Sequence, residues 1–469
     1  MLRSNTAFIG PYYFEDYVMN SSWPHNDSII LAEQNPGISE ENLYKKVILR
    51  IIPLFMVCYL FANLDRVNIS FAKLQMLESL KFSDTVYALG ASMFFWGYFI
   101  FEVPANMILH KIGARRWIAL ILFVWGGLSA LTMAIQPLSV LTGIPGTTLF
   151  YTLRLLLGVC EAGFYPGVIL YLNYWFPSHL MSKATSVFLL ALPVASVLGG
   201  PLSGLIMQYS HLAYGLEGWQ WMMLIEGVPA SLLGIFTYFW LSNGIDDAGW
   251  LTETEKDILH HNLVSDNTHK QHSFSVALKD VRLWILCLII LMYNSGYYGM
   301  TFWLPSIISY SGVQNVWTIG LITAVPYLFG AIAMVLIPWH SRKMNERRLH
   351  TALPPLIGGI CLMLSAFCIA WSLTLSMFFM TLAAVGLFGM MPVFWTLPGT
   401  LLSGAAAAAG IAMINSFGAL SGFMGSFISD VAKNLTGNIN NGTYLLGLCL
   451  LICGVLFLLL PSKIFHQEK

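Results

Sequence analysis

Twelve apolar stretches, each about 20 residues long and separated by clusters of glycine, proline and charge, constrain this chain more than any other feature. A bilayer core about 30 Å thick takes one helix of that length, and without water every backbone polar group must be bonded inside the segment. The stretches centre near Tyr59, Trp96, Val124, Cys160, Val194, Gly234, Met292, Leu328, Cys361, Gly386, Phe417 and Leu451. Six lie within 47–242 and six within 282–462, and the segment 243–281 between them is rich in Asp, Glu, Lys and His. The expected fold is therefore an all-α polytopic membrane protein of twelve transmembrane helices in two pseudo-symmetric six-helix bundles. A linker at 243–281 joins them, and tails at 1–46 and 463–469 flank them. Charged residues make up 10% of the chain, against roughly a quarter in soluble proteins.

Lysine and arginine in the short loops set the orientation. With the N-terminus inside, most of the 23 basic residues fall on the cytoplasmic side, and only Lys73, Lys81 and Lys433 lie outside. An even number of spans puts both termini in the cytoplasm, and the expected location is a bacterial inner membrane. Residues 1–42 are polar with scattered aromatics, lack the charged-then-apolar order of a cleaved signal peptide, and read as a cytoplasmic tail. The formal net charge is +0, which excludes a globally basic nucleic-acid binder.

Ionisable side chains inside spans are costly, at least about 2.5–3.5 kcal/mol each on insertion scales, so each needs a partner, a wet cavity or a function. Asp65 and Arg66 fall near the end of span 1. Arg154 and Glu161 in span 4 are seven residues apart, so they share one helical face. A carboxylate in a low-dielectric cavity takes and releases a proton readily, and an arginine offers a planar fork of donors to an organic anion. Asp65 and Glu161 are thus the candidate proton-coupling groups, with Arg66 and Arg154 as the candidate anion ligands. Glu102 and Glu226 are placed near cytoplasmic ends, as gating or structural acids, and Asp430 is placed at the outer end of span 11, solvated. The C-terminal half offers Tyr297, Tyr298, Thr396 and Asn415 as a polar, uncharged wall of the same cavity. Gly199–Gly200 and Gly204 in span 5, with Gly418, Gly422 and Gly425 in span 11, mark places where helices approach closely.

Seven cysteines, all in apolar runs and without a CxxC pair, suggest neither a disulfide framework nor a metal site. No HExxH, Walker A lysine motif or Ser/His pair at matching depth points to an enzyme. No cofactor is expected beyond the proton as coupling ion.

More specific runs carry a resemblance. Asn106-Met-Ile-Leu-His110-Lys111-Ile-Gly113-Ala114-Arg115-Arg116 is similar to the loop signature of the major facilitator superfamily, with His110 in place of the usual Asp and Lys111, Gly113, Arg115 and Arg116 in the gating loop. Its counterpart is Ser341-Arg342-Lys343-Met344-Asn345-Glu346-Arg347-Arg348, where Arg342 replaces the second Asp. Leu64-Asp65-Arg66-Val67-Asn68-Ile69, Glu102-Val103-Pro104-Ala105-Asn106, Tyr174-Trp175-Phe176-Pro177, Gly218-Trp219-Gln220-Trp221 and Trp250-Leu251-Thr252-Glu253 together resemble the anion:cation symporter family. Its members include carriers of tartrate, galactonate, phthalate and hydroxyphenylacetate, and allantoate permeases. The resemblance implies proton coupling at Asp65 and Glu161, anion contacts at Arg66 and Arg154, and substrate contacts at Tyr98 and Asn415. Asn63 stands where galactonate-type carriers have a tyrosine. The expected function is proton-coupled uptake of a small organic carboxylate by alternating access, by a monomer in the lipid bilayer. The alternatives are an efflux antiporter, suggested by Gly200-Pro201-x-x-Gly204, and a transporter-like sensor that binds without moving its ligand.

Overall fold

The computed structural model describes residues 40–266, 280–398, 404–438 and 440–465. Within them the expected helices form: α1 (Glu40–Leu80), α2 (Asp84–Ile112), α3 (Ala114–Thr142), α4 (Gly146–Asn173), α5 (Val187–Tyr209), α6 (Gly218–Trp240), α7 (Val281–Tyr310), α8 (Val316–Met344), α9 (Arg348–Cys368), α10 (Leu373–Phe394), α11 (Gly404–Thr436) and α12 (Asn440–Leu459). Ten are long and apolar enough to cross a membrane, and α2 and α11 match them in length at 29 and 33 residues. Odd-numbered helices start on the face carrying most of the Lys and Arg, called here the basic face, and even-numbered helices start on the far face.

Local chemistry fixes several of these starts. Ser83, Asn315 and Ser372 cap α2, α8 and α10 by accepting hydrogen bonds from Val86, Thr318 and Leu375 backbone N–H groups. Glu217 and Gln220 form a reciprocal capping box on α6. These caps satisfy N–H groups that have no partner within the helix. On the basic face Gly113 turns α2 directly into α3 at φ +83, a conformation that a side chain would strain.

The two bundles meet through α1, α2 and α5 on one side and α7, α8 and α11 on the other. A Cβ on Gly204 would lie 2.7 Å from the Val316 carbonyl oxygen, and one on Gly200 would lie 2.8 Å from that of Gly320. The α5 and α8 backbones therefore touch, and the small-residue cluster of span 5 packs across the interface. In α11, Gly425 lies against α7 and Gly422 against the Phe95 ring of α2.

Several boundaries and placements differ from the sequence reading. α1 begins at Glu40 rather than 47 and continues to Leu80, so Asp65 and Arg66 sit well inside the helix rather than near its end. The linker is not wholly irregular, because it contains a helix at Glu253–Asp266. This helix docks on the start of α1 through a Lys46 Nζ–Glu255 Oε1 ion pair of 2.8 Å, and Asn262 Nδ2 donates to Glu40 at 2.9 Å. The expected tail at 463–469 begins with a single 3-10 turn, Ser462–Phe465, in which Ile464 and Phe465 are buried. Asp430 is not solvated but 3% exposed, and one of its oxygens accepts from Asn434 Nδ2 at 3.1 Å. Most of the tail 1–46 and part of the linker lie outside the described residues.

Candidate functional site

Arg66 leaves α1 at the interface between the bundles and ties three helices together. One guanidinium nitrogen, Nη2, is ion-paired with Glu161 Oε1 of α4, and the other, Nη1, donates to the Tyr298 hydroxyl of α7 at 3.1 Å. Its Cζ lies 5.6 Å from the centre of the Phe94 ring and 5.8 Å from that of Tyr98, both on α2. Arg154, one helical face along from Glu161, is 2% exposed and sets its guanidinium 5.1 Å from the same Phe94 ring. Its Nε and Nη2 are buried without a hydrogen-bond acceptor among the described residues, as is Nε of Arg66. Donors left in this way cost about 1–3 kcal/mol apiece. Such a site is complementary to an acceptor-rich anion, for which an arginine fork is geometrically suited.

Asp65 neighbours Arg66 in sequence but points another way, since successive helical residues are rotated by about 100°. Its Oδ1 accepts from Ser129 Oγ of α3 at 2.7 Å and from Asn68 Nδ2 at 3.2 Å, and the Trp125 side chain of α3 is a further polar neighbour of the carboxylate. It lies within electrostatic reach of the like-charged Glu161 and of Arg154, and among the described residues it is not ion-paired with Arg154. Glu226 adjoins this group rather than the basic face: α6 starts at Gly218 on the far side, so Glu226 lies about 12 Å along from that start. The sequence reading had it near the cytoplasmic end. Ser203 Oγ of α5 donates to its Oε1 at 2.8 Å, and it is 1% exposed.

The remaining residues singled out from the sequence divide clearly. Tyr297 is edge-on to Tyr298 with ring centres 5.1 Å apart, and it lines a small hydroxyl-rich cavity with Ser196, Thr301 and Tyr327. Glu102 is buried at the bundle interface and accepts from Ser416 Oγ of α11 at 2.9 Å. Asn415, the residue before Ser416, is half-buried. Thr396 is not brought to the cluster: it is exposed just past α10 at the basic face, with its hydroxyl bonded to the Val393 carbonyl at 2.8 Å. Lys111, in the last turn of α2, and Arg116, in the first turn of α3, are exposed, and Arg115 Nε donates to the Tyr238 carbonyl at 2.8 Å. In the matching loop of the second half, Glu346 caps α9 by accepting from the Leu349 amide at 2.7 Å. Partial burial raises the affinity of Glu346 for a proton, but that amide and His350 outweigh it and hold the carboxyl below its usual range.

Sequence reasoning missed two features. Phe94, the ring shared by both guanidinium groups, carried only the faint signal of lying one helical turn from Tyr98. The other is a polar cluster on the far face. There Lys73 Nζ of α1 lies 2.7 Å from Asp84 Oδ1 of α2, and Lys433 of α11 pairs with the other oxygen of the same carboxylate. Lys73 also sits 3.7 Å over the Trp303 ring of α7, and Tyr87 donates to the Phe302 carbonyl at 3.1 Å. These contacts clamp the bundles together at the far face. Among the described residues no group of three His, Cys, Asp or Glu side chains could hold a metal ion.

Comparison with known proteins places this geometry in context. The profile of the Major Facilitator Superfamily matches residues 55–426. A protein of Agrobacterium vitis named as a tartrate transporter is 42% identical, over 90% of this chain and 92% of its own length. NicT of Pseudomonas putida, named as a metabolite transport protein, is 40% identical over 91% and 96%. A quinolone resistance transporter of Acinetobacter baumannii is 38% identical over 92% and 97%. Among solved structures, a D-xylose-proton symporter superposes with a TM-score of 0.71 at 15% identity, covering 90% of this chain and 100% of its own.

Proposed function

This chain belongs to the major facilitator superfamily, a family of multi-pass membrane transporters, and from that premise we propose that it carries a small organic carboxylate together with a proton. The observation behind the reading is the interfacial cluster of Arg66, Glu161, Tyr298 and Arg154, in which buried guanidinium donors lack acceptors. The substrate carboxylate accepts from Arg154 and competes with Glu161 for Arg66. Displaced from its cation in a dry cavity, Glu161 takes a proton, and the loaded site is then close to neutral. Asp65, bonded to Ser129 rather than to an arginine, is a second proton-coupling group. The neutral wall of Tyr297, Tyr298 and Asn415 contacts the rest of the substrate. The basic face is read as cytoplasmic, in a bacterial inner membrane. With the bundles clamped at the far face, the described conformation corresponds to the inward side of an alternating-access cycle. The name of the Agrobacterium relative supports a hydroxy dicarboxylate such as tartrate as the first substrate to try.

The test is the internal pH of proteoliposomes challenged with sugar acids, dicarboxylates and aromatic acids. The expected result is acidification that depends on substrate and is lost in Glu161→Gln, which retains exchange of substrate for substrate. Uphill, proton-driven uptake by Glu161→Gln would remove Glu161 from the mechanism. A second reading, outward exchange of an organic ion for protons, is favoured by the name of the Acinetobacter relative. Alkalinisation of vesicles preloaded with protons when substrate is added outside would select it.

A further inference from the structure

On the basic face, away from the bundle interface, a cleft of about 420 Å³ opens between the ends of α1, α3 and α6 and the start of the linker. Arg50, Arg115, Trp240, Trp250 and Asp247 line it. Neither arginine belongs to the central cluster, and among the described residues neither is in an ion pair. The Arg50 guanidinium stacks on the Trp240 ring at 3.5 Å, and its Nε is buried without an acceptor among the described residues. Trp240 is held in turn, since its Nε1 donates to the Arg50 carbonyl at 3.2 Å. Arg115 is fixed through Nε on the Tyr238 carbonyl, so its two Nη groups remain for another acceptor. Asp247 has one oxygen held by Asn243 Nδ2 at 2.7 Å. Two guanidinium groups and one carboxylate give the cleft a net charge of one positive unit.

What lies beside the cleft identifies the ligand. Phe239 on its rim is 76% exposed, and Phe236 and Leu232, successively deeper on α6, are 47% and 58% exposed. In a membrane protein that face contacts acyl chains, and a tryptophan or aromatic belt marks the level of the headgroups. A charged cleft at this level, continuous with an apolar flank, suits a molecule with a phosphate at one end and hydrocarbon at the other. We propose that this cleft is a binding site for an anionic glycerophospholipid, whose phosphodiester takes donors from Arg50 and Arg115 while its chains lie along α6. Basic pockets at the ends of membrane helices hold anionic headgroups by this chemistry.

The experiment uses the full-length protein in detergent with phosphatidylglycerol as the probe, against phosphatidylcholine, and counts retained lipid by native mass spectrometry. An interfacial arginine contributes about 1 kcal/mol, or about fivefold in affinity. Arg50→Gln and Arg115→Gln should each reduce retained phosphatidylglycerol by about that factor, with little change for phosphatidylcholine. Asp247→Asn should increase retention, a gain that damage to the fold would not produce. Equal retention by wild type and both arginine variants, or no gain in Asp247→Asn, would overturn the proposal. So would inorganic phosphate at millimolar concentration displacing phosphatidylglycerol completely, since the cleft would then be a site for the free anion.

Discussion

Arg154 is the residue whose isolation says most about the site. Two of its nitrogens are buried and lack acceptors among the described residues, a situation that costs free energy unless something supplies them. A carboxylate ligand does so with charge-assisted bonds worth about 1.5–3 kcal/mol each. Arg154→Ala should therefore weaken the apparent affinity for the transported anion by about tenfold to a hundredfold, and Arg154→Lys should not restore it, because an ammonium lacks the planar fork. Substrate-induced thermal shifts across the three proteins check this, and an unchanged shift in Arg154→Ala would make the residue structural. The charged members of the site were legible in the sequence because a charge in an apolar run is conspicuous. Their directions were not. Whether Asp65 meets Arg154 or Ser129 depends on the rotation of α1 against α3, to which no single residue testifies, and Phe94 is only one more aromatic in a chain with 30 Phe.

Among the elements, α5 and α8 make the closest contact between the bundles. Extra atoms at Gly204 have no space beside the Val316 carbonyl, and overpacking of this kind costs about 1–3 kcal/mol. Gly204→Leu should therefore shift the protein toward separation at the far face, seen as increased thiol labelling of a cysteine placed at Gln208. Labelling equal to that of the parent would mean that the helices re-pack. The glycine run was visible in the sequence, but its partner was not, since Gly320 is an isolated glycine near the start of α8, ten residues from the next, Gly330. The linker helix is a separate unit with its own pH dependence. Burial raises the proton affinity of Glu255, but Lys46 and the Thr252 amide outweigh it and hold the carboxyl below its ordinary range. A carboxyl depressed in the folded state contributes stability above its unfolded value of about 4.3, and that contribution is lost as the pH falls. The protection of the Glu253–Asp266 amides against hydrogen exchange, taken relative to the intrinsic rate at each pH, should fall near pH 4 in wild type, and Glu255→Gln should be less protected already at pH 7. The hydropathy of the linker gave no hint of this docking, because the pairing crosses more than two hundred residues.

For the molecule as a whole, the number of long apolar helices follows from the spacing of apolar runs and was legible in the sequence, although α1 begins earlier than the apolar run does. The relation between the bundles was not, because it rests on single contacts such as Lys433 with Asp84, which join residues far apart in the chain. Removing that contact alone should favour the state open at the far face. Lys433→Met is expected to increase labelling of a cysteine at Tyr310 without reducing the amount of folded protein, and labelling at the parent level would show that Trp303 and Tyr87 hold the clamp unaided. Asp84 has a further property. Of its two lysines, Lys73 belongs to its own bundle and Lys433 to the opposite one. When the bundles part, the carboxylate keeps one cation, and Lys433, already partly exposed, turns to water. Because the carboxylate keeps Lys73 in either position, parting of the bundles gives up only the Lys433 contact and leaves no bare charge in hydrocarbon. The far-face contact is thus one that can be broken and remade without desolvating a lone ion.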